Sequence, residues 1–347
     1  MSLVQSPVLF QYHNEEVYLF TLKNSNGIEV SISNLGAIIQ SFIVPDSSGK
    51  LRDIVLGFDQ MKHYTNQSYL ESNSYLGAIV GRYANRISNS IFELDSQLYK
   101  LSSNHPPHQL HGGYEGFDRK VWKLESNSSI SDSRLVLSYL SKDGEEGFPG
   151  NLRVQISFEL NENNELLMQT EANTDKATPV NLTHHGYFNL NGSGTIEDHF
   201  AEIPASFYLG QHNDLVPNGE ILAVQNTFYD FRTVKKISSV WDPLQGYDQS
   251  FILDKEYGVW GKAAMAYSES SGIKLEVYTD EPTVQFYTGI HLNNTGVKGG
   301  ANYSAYSGLC FETQHHTNAV NIPEFPSTIL RPGELYRSST SYIVSIA

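Results

Sequence analysis

Cysteine is nearly absent: Cys310 is the single thiol in 347 residues, which excludes an intramolecular disulfide and every zinc site of the CxxC kind. Basic side chains are scarce as well. Lys and Arg number 23 against 38 Asp and Glu, a formal net charge of -15, so the long-range field repels nucleic-acid phosphates and anionic lipid. Neither nucleic acid nor a membrane is expected as a partner. Long apolar runs are missing too. The opening MSLVQSPVLFQYHNEEVYLF has no basic stretch followed by a continuous hydrophobic segment, and nothing approaches the roughly 20 apolar residues that span a bilayer. A soluble, cytoplasmic protein is the expectation, and the N-x-S/T triplets at Asn66 and Asn127 are accordingly not read as glycosylation sites.

Helical periodicity is the next thing lacking. Gln60 to Tyr64 can form a short turn after Asp59, but no apolar stripe is sustained over three turns, so there are no crossover helices to build a parallel α/β sheet. What is present is period two. Leu152, Val154, Ile156, Phe158 and Leu160 alternate with Arg153, Gln155, Ser157 and Glu159, then a polar break at residues 161–165 precedes a second run from Leu166 to Thr170. One buried and one wet face predict an antiparallel hairpin. Further hairpins are predicted around Asp95 to Gln97 and around Ser268 to Gly272. No repeat and no Pro/Gly/Ser linker divides the chain, so the expectation is all-β: one large antiparallel β-sandwich over residues 1–347, with few short helices.

Several catalytic devices are also missing. There is no G-x-S-x-G elbow, and Cys310 lies between Leu309 and Phe311 in an apolar run, the setting of a core residue rather than a nucleophile. HGGYEG lacks the Lys-Ser/Thr ending of a phosphate loop, so no nucleotide cofactor is implied. No HExxH occurs, and the adjacent pairs His184–His185 and His315–His316 would point to opposite faces of a strand, so no metal site is expected. The same alternation places Thr183, His185 and Tyr187 on one face and His184 and Phe188 on the other. What remains is imidazole and carboxylate among aromatics at the ends of apolar runs, in GRYANRI (81–87), HQLHGGYEGFDRKVW (108–122), TPVNLTHHGYFNL (178–190), QGYDQSF (245–251), VQFYTG (284–289) and GLCFETQ (308–314). That is equipment for proton transfer on a neutral polyol. Residue by residue the bland readings stay open: His111 as a turn histidine, His185 as a core histidine, Glu312 as a wet-face carboxylate.

Taken together with NLGAIIQSF, DGEEGFPG and LRPGE, these strings occur in the order and at the intervals of the galactose mutarotase (aldose 1-epimerase) family, which the chain resembles from about residue 27 to its C-terminus. The resemblance implies a mutarotase-like sandwich with an open sugar cleft. By position it makes Glu312 the general base, His185 the general acid and His111 a second histidine at the ring oxygen. Asn85, Arg86, Asp248 and Gln285 become hydroxyl-binding residues. Tyr83 replaces the usual small apolar residue of its motif, and His184 sits where many members carry another polar residue. The reaction so implied interconverts the α and β anomers of free aldohexoses such as galactose and glucose, with no cofactor, by a monomer or homodimer.

Opening the ring requires a proton to leave the anomeric hydroxyl while another reaches the ring oxygen. At their ordinary pKa values the carboxylate of Glu312 would be ionised and the imidazole of His185 partly protonated at neutral pH. Rivals are an epimerase of a phosphorylated hexose, which would need basic residues beyond Arg82 and Arg86, and a glycoside hydrolase or lyase, which calls for two flanking carboxylates. A non-catalytic carbohydrate-binding protein on the same fold would need neither Glu312 nor His185.

Overall fold

The computed structural model describes residues 2–72, 74–126, 133–239, 241–242 and 245–347. Asn127 lies outside the described residues. Alternation does the folding. The predicted hairpin is realised as Leu152–Leu160 paired in antiparallel register with Glu165–Thr174, from Leu152 opposite Thr174 to Leu160 opposite Leu166. Its five inward apolar residues are fully buried. The two shorter hairpins form as well, Ile91–Leu94 with Gln97–Lys100 and Gly261–Tyr267 with Ile273–Thr279.

The first and third of these hairpins join a nine-stranded sheet that runs from Lys123–Leu124 through the central pair of Glu165–Thr174 and Tyr336–Ile346 to Lys235–Lys236, while Ile91–Leu94 and Gln97–Lys100 form a two-stranded sheet of their own. A five-stranded sheet holds Leu19–Lys23, Glu29–Ser33 and Ile39–Pro45 at its centre. A six-stranded sheet orders Tyr187–Phe188, Leu309–Gln314, Thr283–Tyr287, Asp248–Ile252, Phe207–Gln211 and Pro217–Ala223. Pairings between named strands are antiparallel throughout the described residues. One continuous apolar cluster takes side chains from all three, including Phe20 and Val30, Val154 and Phe158, and Val284, Phe286 and Phe311. The sandwich is held by that shared core, since each sheet face left alone would expose its apolar row.

Among the described residues the helical content is small. The turn expected at residues 60–64 is a 3-10 helix at Met61–Thr65, and it leads into a single α-helix, Gln67–Ser72, that the sequence reading does not include. That helix buries none of its residues, so there is no apolar stripe to betray it. No described helix is long and apolar enough to cross a membrane.

Candidate active site

The floor of the site is one face of the six-stranded sheet. Val284, Phe286, Leu309 and Phe311 enter the core, so the alternating partners Gln285, Tyr287 and Glu312 turn the other way, into a cavity of about 260 Å³. Sites for drug-sized ligands span roughly 300–1,000 Å³, so this volume suits a single sugar ring. The register sets Gln285 directly opposite Glu312. On the next strand Asp248 Oδ1 accepts a hydrogen bond from Gln285 Nε2 at 2.6 Å. Three adjacent strands thus present one polar row, Asp248, Gln285 and Glu312.

Two motifs far apart in sequence form the wall. Asn85 and His111 clasp each other: the His111 N–H donates to the Asn85 carbonyl at 3.0 Å, and the Asn85 N–H donates to His111 Nδ1 at 3.2 Å. With Nδ1 accepting, the proton of the neutral ring sits on Nε2, so His111 offers the site a donor. The clasp depends on glycine. Gly112 has φ +90° and a Cβ there would stand 1.9 Å from the Gly81 carbonyl oxygen, so only glycine lets HGG close on the start of GRYANRI. Asn85 Oδ1 receives the Arg86 N–H at 2.8 Å and lies 3.5 Å from Arg86 Nη1, while Arg86 Nε has no protein partner.

His185 stands between wall and floor. Its Nε2 is 3.7 Å from Glu312 Oε1, with both side chains buried, and Glu312 Oε2 has no partner. The rings of Tyr187 and His111 lie 5.0 Å from the His185 ring, and Tyr75 lies 5.8 Å away. His184 points to the opposite side, as alternation requires, with Nδ1 3.0 Å from the Tyr342 hydroxyl and Nε2 3.1 Å from the Gly77 carbonyl oxygen.

Burial changes the electrostatics expected from ordinary pKa values. It pulls His185 down to about 4, so the imidazole is neutral at pH 7 rather than partly protonated. His111 is lowered by burial and by its neighbours His185 and Arg86. Glu312 is pushed well above the usual carboxylate range, first by burial and then by Asp248, with Arg86 opposing. Asp248 is raised in the same way by burial. Burial thus favours the uncharged form of each group, the carboxylic acid of Glu312 and the neutral imidazole of His185.

All seven residues singled out from the sequence, Glu312, His185, His111, Asn85, Arg86, Asp248 and Gln285, line this one cavity. Sequence reasoning does not single out the lining residues Ser72, Ser74, Tyr75, His105, Leu110, His291 and Leu292. Tyr187 and Tyr287 were findable, each lying two positions from a site residue on the same strand face. Arg82 is not part of the site. Its guanidinium is spent inside the protein on Ser141 Oγ and on the carbonyls of Pro149 and Lys142, each at 2.8 Å. Among the described residues, the metal-binding side chains that converge are His111, His185 and Glu312, with donor atoms within 4.8 Å of one another. This set comes from three separate motifs, which the argument from adjacent histidines does not address. The 3.7 Å from His185 Nε2 to Glu312 Oε1 is wider than the roughly 3.3 Å between neighbouring ligands of a tetrahedral zinc, whose Zn–N bonds are about 2.0–2.1 Å.

The chain matches the aldose 1-epimerase family over residues 18–343. It is 40% identical over 333 residues to the galactose mutarotase of Sus scrofa, with 93% of each chain covered. Against the galactose mutarotase of Homo sapiens the identity is 40% over 332 residues, again with 93% of each covered. The aldose 1-epimerase of Escherichia coli K12 is 35% identical over 333 residues, covering 93% of this chain and 94% of that one. Among solved structures, the aldose epimerase homologue from C. elegans superimposes with a TM-score of 0.88 at 30% identity, covering 95% of this chain and 99% of its own.

Proposed function

Starting from a chain that belongs to the aldose 1-epimerase family and, as an isomerase, interconverts the anomers of aldoses, we propose that Glu312 and His185 carry the two proton transfers. The observation that supports this is the buried 3.7 Å approach of His185 Nε2 to Glu312 Oε1 on the cavity floor. Hydroxyl-binding side chains surround it.

The closed sugar ring reacts with the arrangement in which Glu312 is ionised and His185 carries the proton. Glu312 removes the anomeric hydroxyl proton, the bond from the anomeric carbon to the ring oxygen breaks, a carbonyl forms, and His185 protonates the departing ring oxygen. The pair then stands as carboxylic acid and neutral imidazole, the arrangement that burial favours. Rotation about the bond beside the aldehyde carbon presents its other face, and the same two groups in reversed roles reclose the ring. One proton circulates and no redox or group transfer occurs, so no cofactor is called for. Arg86 opposes the upward shift of Glu312 and so favours the ionised carboxylate needed at the start. His111 donates from Nε2 to the ring oxygen region. Asp248, Gln285 and Asn85 hold sugar hydroxyls.

The proposed substrates are free aldohexoses, galactose and glucose, handled in the cytoplasm by one domain spanning the chain, as a monomer or homodimer. A phosphorylated hexose is disfavoured because Arg82 is consumed internally, which leaves Arg86 as the arginine lining the cavity. The test is polarimetry on freshly dissolved α-galactose and α-glucose. The wild type should speed the approach to equilibrium rotation in proportion to its concentration. Glu312→Gln should lose roughly 10²- to 10⁴-fold in kcat, and a folded variant with near-normal turnover would remove Glu312 from the mechanism.

A further inference from the structure

We infer that Asn104 is a positioning residue whose carboxamide holds the chain on both sides of His111 and so aims that imidazole at the sugar. The inference rests on the role proposed above for His111. Its first basis is backbone conformation. His111, Gly112 and Gly113 follow one another at φ +51°, +90° and +109°, and the Gly113 N–H donates to the Leu110 carbonyl at 3.1 Å, closing a turn whose two central residues both stand in the left-handed region. Glycine tolerates that region, whereas histidine, which carries a Cβ, is disfavoured there. Such a residue stays in place only where its surroundings over-determine the backbone.

Asn104 supplies that constraint. Its Oδ1 accepts the Leu110 N–H at 2.8 Å, and its Nδ2 donates to the Leu110 carbonyl at 2.9 Å and to the Gly113 carbonyl at 3.0 Å. One amide thus grips the residue before His111 and the second residue after it, with both of its N–H groups in use. An aspartate of the same shape could accept from Leu110 but would turn an oxygen against two carbonyls. Asn104 is itself anchored, because His105 and His108 exchange backbone hydrogen bonds of 3.1 and 2.8 Å and His108 Nδ1 accepts the Asn89 N–H at 3.0 Å. Asn85 closes on His111 through the clasp described above, so the residue is fixed between two asparagines. Asn85 lines the cavity and Asn104 does not, so Asn104 reaches the sugar through His111.

The test is a double-mutant cycle read by polarimetry. Asn104→Ala should lower kcat about tenfold with KM nearly unchanged, and Asn104→Asp, which keeps the side-chain volume and serves if the alanine variant does not fold, should lose at least as much. With His111→Ala as the background, either change should lower kcat by less than about twofold more. An equal loss in both backgrounds would overturn the inference, since it would place the effect in folding or in His105 beside Asn104. Amide hydrogen exchange supplies an arm free of catalysis. The Asn85 N–H, which bonds His111 Nδ1, should exchange about tenfold faster in either Asn104 variant while the amides of Leu152–Leu160 keep their rates; a general loss of stability would raise both. Unchanged exchange at Asn85 would overturn the inference whatever the kinetics. Failure of the His111 assignment is distinguishable: His111→Ala alone would then keep kcat while exchange at Asn85 still rose with the loss of Asn104.

Discussion

Gln285 links two carboxylates on the strands that flank its own: it donates to Asp248 Oδ1 at 2.6 Å and stands in register opposite Glu312. The arrangement sets two acidic groups near one another in a buried site, where like charges raise each other's pKa. Asp248 is the second cause, after burial, of the upward shift of Glu312. Asp248→Asn therefore has a consequence beyond a lost sugar contact. It should raise KM by removing a charge-assisted hydrogen bond worth about 1.5–3 kcal/mol, roughly 10- to 100-fold. It should also bring the Glu312 titration down. A variant with unchanged KM and an unchanged pH profile would leave Asp248 a purely structural residue.

The pH profile of the wild type follows from the opposite shifts of His185 and Glu312. As pH falls through about 4, His185 takes a second proton onto the pair while Glu312 is already protonated, no base remains, and the rate drops. As pH rises through the elevated Glu312 titration the pair loses its only proton, no acid remains, and the rate drops again. The expected plot of kcat/KM is a bell with its acid limb near 4 and its alkaline limb above the usual carboxylate range. Asp248→Asn should move the alkaline limb down and leave the acid limb in place. Polarimetry from pH 3.5 upward, corrected for the spontaneous rate, checks both; an acid limb centred near 6.5 would mean that His185 works as the cation in the free enzyme.

The glycine that joins the two wall motifs offers a test independent of proton chemistry. Gly112→Ala places a methyl group where the Gly81 carbonyl stands and forces alanine to φ +90°, a strain of roughly 1–3 kcal/mol before the clash is counted. Because His111 is the preceding residue and is tied to Asn85 on both sides, the relief of that clash moves a site residue. Urea unfolding should show the stability loss and polarimetry a larger fall in kcat than in thermal midpoint. Unchanged activity in a stable variant would show that the clasp tolerates displacement.

Much of this was legible before any coordinates. The alternation of Leu152 to Leu160 is the core face of a strand because a half-buried sheet has no other way to satisfy period two, and the hairpins at 95–97 and 268–272 follow the same rule. The sides taken by His184 and His185 were readable from their adjacency alone. Other features were not. Ser74, Tyr75 and His291 reach the cavity through loops, where position depends on contacts with distant segments, as in the bond from Ser74 Oγ to Asn294 Oδ1 at 3.1 Å. The pKa shifts of Glu312 and His185 are not legible in the sequence because reference values describe solvated groups, and the depth of burial belongs to the fold rather than to the local string.

The two arginines of GRYANRI separate stability from catalysis. Arg82 is buried with a depressed pKa of about 10, caused by burial, and its donors are distributed over Ser141, Lys142, Pro149 and Thr178. Those partners lie on three different stretches of chain. Removing the guanidinium strands several buried carbonyls, each at about 1–3 kcal/mol, and leaves a void where the head group was. Arg82→Met should therefore lose more than about 3 kcal/mol of stability by urea unfolding. Any protein that still folds should keep kcat, since Arg82 does not line the cavity. Arg86→Met should behave in the opposite sense. Its Nε is unpartnered and its side chain faces the cavity, so the stability loss should be smaller, while kcat falls because Arg86 counters the upward shift of Glu312. Equal stability losses, or a loss of kcat confined to the Arg82 variant, would reverse the two assignments.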